Sequence, residues 1–544
     1  MGWLRKLRGS KKRGDHDCEQ LGDQEHSLDS ASSDVRGEGP GGAQVAPLED
    51  TPISSEEHQS IMKELYISSH ATQHSRYTPR APRTCEWLLR HQTFQAWKRQ
   101  RQSSSLLWLS GYPGSGKSTL AAFLIDELQQ TVPGGGDAAE TVCYFFFQDS
   151  DSQQRSADRA MCAVLHQLFT ANPRLSRHAA LQGQDRNRSG RFPREFAALW
   201  NVLLDAVNDP LCGDVLCVLD GLDECEEASQ TELIEALVKW YTIATAATAG
   251  PGSLKFLLTS RPSRTIERHF FSFPKIRLKA EVESTRKDIA ALIRCRMEGV
   301  PEFRGPGLGL DDASRTEIED KLVRNAQGNF LWVDLVLGLI ADSARESAEA
   351  LRAIVDKPPA TLDAVYERIL SSSSNAAATR RLLHIISAAK RPLSLEELHA
   401  AFTTTQPSDR APALSPHTSP PHAIQIRQLC SHFILIIDSR VHLIHHTAKD
   451  FLCHPVATIS PAQTQGVWKH SFHPVESHRI LTLVCVSILG SEDTENTEDT
   501  EHENEIEKRP LMDYAHRYWR EHARLANPED DEMLLGAIKR LGRG

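Results

Sequence analysis

The sequence predicts a parallel α/β sheet followed by a helical domain and a winged-helix domain, and three observations carry that prediction. Apolar runs suited to buried strands, Leu106-Leu-Trp-Leu109, Val142 to Phe147, Val215 to Leu219 and Lys255 to Thr259, alternate with helix-periodic stretches such as Ala157 to Thr170 and Ser229 to Thr245. Such alternation puts helices on both faces of a parallel sheet. The first run leads through a Gly-rich turn into a helix, Thr119 to Gln129. After Arg261 the strands largely stop, and Val282 to Met297, Arg315 to Ala326, Phe330 to Ala341 and Leu362 to Ser371 carry helical periodicity with Gly and Pro breaks between them.

Beyond these, Leu382 to Ala389 and Leu395 to Phe402 bracket Pro392 as two helices. A Pro- and Ser-rich loop then precedes two β-rich runs, Phe433 to Asp438 and Val441 to His445. Helices followed by a short hairpin predict a winged helix.

With 544 residues the chain exceeds what one core can fill, so several packed units are expected. A net charge of -10 excludes a polycation built to coat nucleic acid. The 11 cysteines form no C-x-x-C pair, which points to a reducing, cytoplasmic setting rather than a zinc knuckle or redox site. The basic start, Met1-Gly-Trp-Leu-Arg-Lys-Leu-Arg, runs into Lys11, Lys12 and Arg13 instead of an apolar stretch, so it is not read as a secretory signal. Myristoylation at Gly2 is not expected, because Lys6 stands where Ser or Thr is needed. No stretch is long enough to span a bilayer. The acidic run from Ser491 to Glu507 has the charge density of a solvated loop.

The chemistry concentrates at Gly111-Tyr112-Pro113-Gly114-Ser115-Gly116-Lys117-Ser118, which satisfies G-x-x-x-x-G-K-[ST] between a strand and a helix. Glycines let backbone N–H groups turn inward around phosphates, and the helix N-terminus adds its positive end. Lys117 is expected on the β- and γ-phosphates, Ser118 in the shell of a Mg²⁺ ion, and Thr119 near the α-phosphate. The bland reading is an ordinary Gly-rich turn. Chance produces this pattern in about two chains per hundred of such length, and the flanking strand and helix argue against it here.

The apolar strand Val215 to Leu219 ends in Asp220, Asp223 and Glu224, the acid cluster a Walker B element needs to hold Mg²⁺ beside the loop. Asp220 is the metal candidate. Glu224, with Asp223 close behind, is the candidate to orient or deprotonate the attacking water. A strand ending in a solvated acidic turn is the alternative. Leu257-Leu-Thr-Ser-Arg261-Pro stops at a guanidinium placed to feel a γ-phosphate, or simply caps the strand. No N-K-x-D or T-K-x-D follows, so ATP is favoured over GTP.

Through these residues the chain resembles the NACHT branch of the STAND NTPases, in the fungal NLR-like form close to the nephrocystin-3-like N-terminal domain. Thr84-Cys-Glu-Trp87 ahead of the P-loop, VLDGLDEC and FLLTSRP are similar to that family's entry, Walker B and sensor segments. Ala326-Gln-Gly-Asn-Phe-Leu-Trp-Val333, Leu362-Asp-Ala-Val-Tyr366 and Arg391-Pro-Leu-Ser-Leu-Glu-Glu-Leu398 resemble its helical and winged-helix domains. His442-Leu-Ile-His445-His446-Thr-Ala-Lys-Asp450-Phe is similar to the segment whose histidine, in related NLRs, reaches the β-phosphate of ADP, and His445 is the better match by spacing. A strand-end histidine pair with satisfied hydrogen bonds is the bland alternative there.

Composition and the resemblance together give a layout: residues 1–55 a disordered tail, since 14 to about 50 are Gly, Ser, Asp and Glu with almost no large apolar side chains, 56–82 a helical linker, 83–270 the NACHT P-loop domain, 271–358 the helical domain, 359–456 the winged helix, and 457–544 a C-terminal helical segment with an acidic loop. It implies a switch that holds ATP or GTP with Mg²⁺, alternates between a closed diphosphate state and an open oligomerising state, and hydrolyses slowly. Its expected partners are nucleotide and copies of itself or other signalling proteins. Arg509 to Trp519 resembles the segment that precedes repeats in fungal relatives, and no repeat array follows it. A nucleotide-holding scaffold without signalling and a turnover ATPase or kinase are the competing readings.

Overall fold

The computed structural model describes residues 53–541, apart from 68–73, 76, 78–79, 101–104, 131–139, 187–193, 247–252, 300–311, 405–421, 454–466, 491–509 and 529–530. The predicted N-terminal tail up to residue 52, the lipidation question at Gly2 and the acidic run from Ser491 therefore lie outside the described residues.

Five parallel strands, β1 (Ser105–Ser110), β2 (Thr141–Phe146), β3 (Val215–Asp220), β4 (Leu254–Ser260) and β5 (Lys275–Arg277), form one sheet in the order β2-β3-β4-β1-β5. Strand alternation feeds two cores. Leu106, Trp108, Cys217 and Leu219 pack on one face against helix Ala157–Ala171, while Leu107, Leu109, Leu216 and Val218 pack on the other against helix Lys117–Gln130. Burial on both faces explains why these strands read as unbroken apolar runs. The fifth strand went unnoticed in the sequence because its three residues, Lys275-Ile-Arg277, bury only Ile276 at the sheet edge.

Because β4 lies between β1 and β3, the loop after β1 and the acids after β3 are separated by one strand, whose end carries Thr259 and Ser260. Everything chemical in this part of the chain sits at the carboxyl ends of the strands, where an open α/β sheet leaves its crevice.

Helices Val282–Gly299, Asp312–Ala326, Phe330–Glu346 and Ala348–Asp356 follow, as expected of an all-helical neighbour. The winged helix contains helices Leu362–Ser371, Ala376–Ala388 and Leu395–Thr403 and an antiparallel sheet β6-β8-β7, made of β6 (Leu393–Ser394), β7 (Ile434–Ile437) and β8 (Arg440–Leu443). Ser394 and Glu397 form a capping box at the start of the third helix, and Arg391 grips Glu397 through two hydrogen bonds of 2.7 Å. One continuous core runs from Ile289 through Tyr366 and Phe433 to Tyr514, so helical and winged units share their interior. Among the described residues no helix is long and apolar enough to cross a membrane.

Glu367 ties this unit to the chain beyond it: its carboxylate accepts the backbone N–H groups of Val467 at 2.6 Å, Trp468 at 3.2 Å and Lys469 at 3.2 Å, holding the fully buried Trp468 in place. Glu367→Ala leaves that row of N–H groups without its acceptor. It should lower unfolding stability by about 1–3 kcal/mol, read as an earlier midpoint in urea denaturation.

Candidate functional site

The loop between β1 and helix Lys117–Gln130 closes on itself through Lys117, whose Nζ donates to the carbonyls of Gly111 at 3.0 Å and Tyr112 at 3.3 Å. Burial pulls the Lys117 ammonium below its ordinary pKa, while Asp223 and Asp220 hold it up. Gly114 has φ +75°, a left-handed backbone, and a Cβ there would stand 2.2 Å from Asn329 Oδ1. Glycine is thus required twice over, by conformation and by the close approach of the helical unit.

Asp220, at the end of β3, is almost wholly buried. Thr259, one strand over on β4, donates its hydroxyl to Asp220 Oδ1 at 2.6 Å and accepts the Gly221 N–H at 2.9 Å. Burial pushes the Asp220 carboxyl up to about 6, against the lowering by hydrogen bonds from Ser118 and Thr259 and by the Lys117 charge. Gly221 turns the chain with φ +74°, and a short helical turn Leu222–Glu224 then presents the other two acids.

Those acids meet the winged helix. Asp223 accepts the Arg261 backbone N–H at 2.9 Å and pairs with its guanidinium at 2.9 Å, and Arg261 reaches on to Asp450 at 3.6 Å. Glu224 Oε1 lies 2.9 Å from His446 Nδ1. Burial, then the neighbouring Asp223 charge, push the Glu224 carboxyl up to about 8. His445 uses its own Nδ1 to cap helix His446–Leu452, accepting from Thr447 N at 3.3 Å. Burial, followed by the Lys117 and Arg261 charges, drives its pKa down to about 3. The two rings lie 3.8 Å apart; His446 contacts Glu224, while His445 is close enough to Lys117 and Arg261 to feel their charges.

Lys117, Ser118, Asp220, Asp223, Glu224, Arg261 and His445 are thus gathered at one crevice, although they are spread over more than 300 residues of chain. Four further participants were not singled out in the sequence. Thr259 supports Asp220. His446 contacts Glu224. Asn329 and Phe330 meet the loop, with Phe330 N donating to Gly114 O at 2.7 Å and Asn329 Nδ2 to Pro113 O at 3.4 Å. The adjoining Gly-Asn-Phe in the sequence was the available signal for the last two; for His446 there was only its adjacency to His445.

The residues fit a nucleotide and Mg²⁺. The Ser115 hydroxyl and His446 Nε2 are buried and bond to nothing among the described residues, leaving polar atoms for phosphate oxygens to satisfy. Among the described residues no group of three or more His, Cys, Asp or Glu forms a dedicated metal cage. That is compatible with Mg²⁺, which takes one or two protein ligands plus phosphates and water. Ser118 and Asp220, within hydrogen-bonding reach of each other, are the pair able to hold it.

This architecture and loop define a P-loop NTPase. Residues 83–261 match the family model "Nephrocystin 3, N-terminal", and residues 366–458 match "GPI inositol-deacylase, winged helix domain". Over 376 residues the chain is 29% identical to vegetative incompatibility protein HET-E-1 of Podospora anserina, a match covering 67% of this chain and 26% of that protein. These matches support the resemblance to the NACHT-type STAND NTPases, and the chain spans about a quarter of the length of the curated relative it matches. Among solved structures, Drosophila ORC bound to DNA matches at TM-score 0.33 and 14% identity, over 76% of this chain and 95% of that one. Aeropyrum pernix ORC2 in its ADPNP-ADP complexes matches at TM-score 0.32 and 14% identity, over 72% and 96%.

Thr259→Val should leave both the Gly221 N–H and the Asp220 carboxylate short of a buried partner. The expected result is a loss of about 1–3 kcal/mol, measured by calorimetric unfolding of the nucleotide-free protein.

Proposed function

We propose that this protein is a nucleotide-operated switch whose closed state is locked by the winged helix on the Walker B acids. The observation that carries the reading is the 2.9 Å contact of His446 with Glu224, flanked by Arg261 bridging Asp223 and Asp450. Glu224 is the base in this scheme. With one carboxylate oxygen engaged by an imidazole, it is poorly placed to take a proton from water. Lys117 binds the β- and γ-phosphates, the glycine loop cradles them, Ser118 and Asp220 hold Mg²⁺, and Thr119 completes the α-phosphate contacts. Arg261 leaves Asp223 and Asp450 for the γ-phosphate when a triphosphate enters. His445, close to Lys117, contacts the diphosphate in the closed state.

On this reading the triphosphate competes for Arg261 with Asp450, and that competition releases helix His446–Leu452 from the NTPase unit. Opening frees surfaces for self-association, and slow hydrolysis by Glu224 restores the closed form. ATP is favoured over GTP. The ten described cysteines are all unpaired, which supports a reducing, cytoplasmic setting. Vegetative incompatibility, the process named for the Podospora relative, is the kind of response such a switch would drive.

Purified protein should release a nucleoside diphosphate on denaturation and turn over ATP at well below one per second. An empty site with fast turnover would overturn the switch. Lys117→Ala should abolish nucleotide binding in equilibrium titration, whereas Glu224→Gln should bind normally and hydrolyse about a hundredfold more slowly or worse. His446→Ala should shift the population toward larger species in size-exclusion chromatography with ATP, and raise turnover. Unchanged assembly and turnover in that variant would remove the lock from the scheme.

A further inference from the structure

Beside the nucleotide crevice lies a second cavity of about 210 Å³ that the switch scheme does not use. It is walled by the loop after β2, the end of helix Ala376–Ala388 with Lys390, helix His446–Leu452, and the start of helix Pro474–Gly490. Its volume exceeds several-fold the ~30 Å³ share of one liquid water, so it can hold a tetrahedral oxyanion.

The lining is rich in donors. It contains Arg155, Lys390 and Lys449 against a single carboxylate, Asp149, which pairs with Lys449 at 3.4 Å. The partners of the other two cations, Glu226 at 3.9 Å from Arg155 and Glu521 at 2.7 Å from Lys390, are not part of the lining. Glu226 is more than half exposed, where water screens it. Ser387 is only 8% exposed, and its hydroxyl is buried with no hydrogen-bond partner.

His478 adds a donor whose proton is fixed by a relay. The Lys390 N–H donates to Tyr514 Oη at 3.0 Å, Tyr514 Oη lies 2.8 Å from His522 Nε2, and His522 Nδ1 lies 2.9 Å from His478 Nδ1. Every hydrogen in the chain is used when Tyr514 donates to His522 and His522 donates to His478, which leaves the His478 proton on Nε2. Burial, then Lys390 and Lys449, push His478 down to about 4 against the opposing Glu521 charge, so the ring is neutral near pH 7.

We infer that this cavity is a binding site for a small phosphate-class oxyanion, held by Arg155 of the NTPase unit together with Lys390, Lys449, Ser387 and His478. Such a ligand links the NTPase unit to the winged helix at a point where they already meet through the Ser152 N–H and the Lys390 carbonyl at 3.2 Å. Occupancy therefore stabilises the closed arrangement by mass action.

The test uses the full chain carrying Lys117→Ala, so that the P-loop does not compete for phosphate. Inorganic phosphate and glycerol 3-phosphate are titrated by calorimetry at constant ionic strength. One saturable equivalent is expected, weakened at least tenfold by Arg155→Gln with Lys390→Gln and several-fold by Ser387→Ala, which removes one oxygen and leaves the charges intact. Binding of phosphate alone identifies the free anion as ligand, and tighter binding of the ester identifies a phosphorylated metabolite. Saturable binding in the unmutated protein that vanishes with Lys117→Ala would place the anion in the P-loop and overturn the inference. So would no binding in either protein, or undiminished affinity in the folded double variant. None of these results bears on nucleotide exchange, which is read with Lys117 intact.

Discussion

The structure turns on the burial of ionisable groups at the carboxyl ends of β1, β3 and β4. Lys117, Asp220 and Glu224 are taken largely out of water, and each is displaced from its ordinary pKa primarily by that desolvation. Charges so placed are costly until they find partners. Much of the surrounding architecture can be understood as supplying partners: Thr259 for Asp220, Arg261 for Asp223, His446 for Glu224, and the loop carbonyls for Lys117. A site whose buried groups depend on partners drawn from several elements is also one that a phosphate and a divalent cation could reorganise, because they would offer the same groups stronger partners.

The winged helix exploits this dependence through one short helix. His446–Leu452 brings His446, Lys449 and Asp450 to Glu224, Asp149 and Arg261 respectively, each contact joining opposite or complementary groups. Several of these side chains are partly exposed, so the individual pairs are weak and salt-sensitive. Their strength as a set comes from lying on one rigid element, so that losing one loosens the geometry of the others.

The parallel sheet was legible because its strands are buried on both faces and its loop motif requires a particular local geometry, so sequence and fold constrain each other at Gly111 to Ser118. The short edge strand Lys275–Arg277 was not, since three residues with one buried side chain carry no periodicity. Individual P-loop and Walker B residues could be named from spacing alone, because their chemistry depends on local order along one strand and turn. Their partners could not. His446 meets Glu224 across 221 intervening positions, and the choice between it and His445 is made by which ring nitrogen caps the helix, a property of folded geometry and not of pattern.

The hydrogen bond from Phe330 N to Gly114 O couples the floor of the phosphate loop to the first residue of helix Phe330–Glu346, which is 17 residues long. A helix of that length extends about 26 Å at 1.5 Å per residue. Any tilt imposed at its first turn is magnified along it: a rotation of about 10° displaces the far end by about 4 Å, given the same rise per residue. The loop is therefore the short arm of a lever. A rearrangement around it too small to alter the sheet is large enough, at the other end of that helix, to break or make a packed interface.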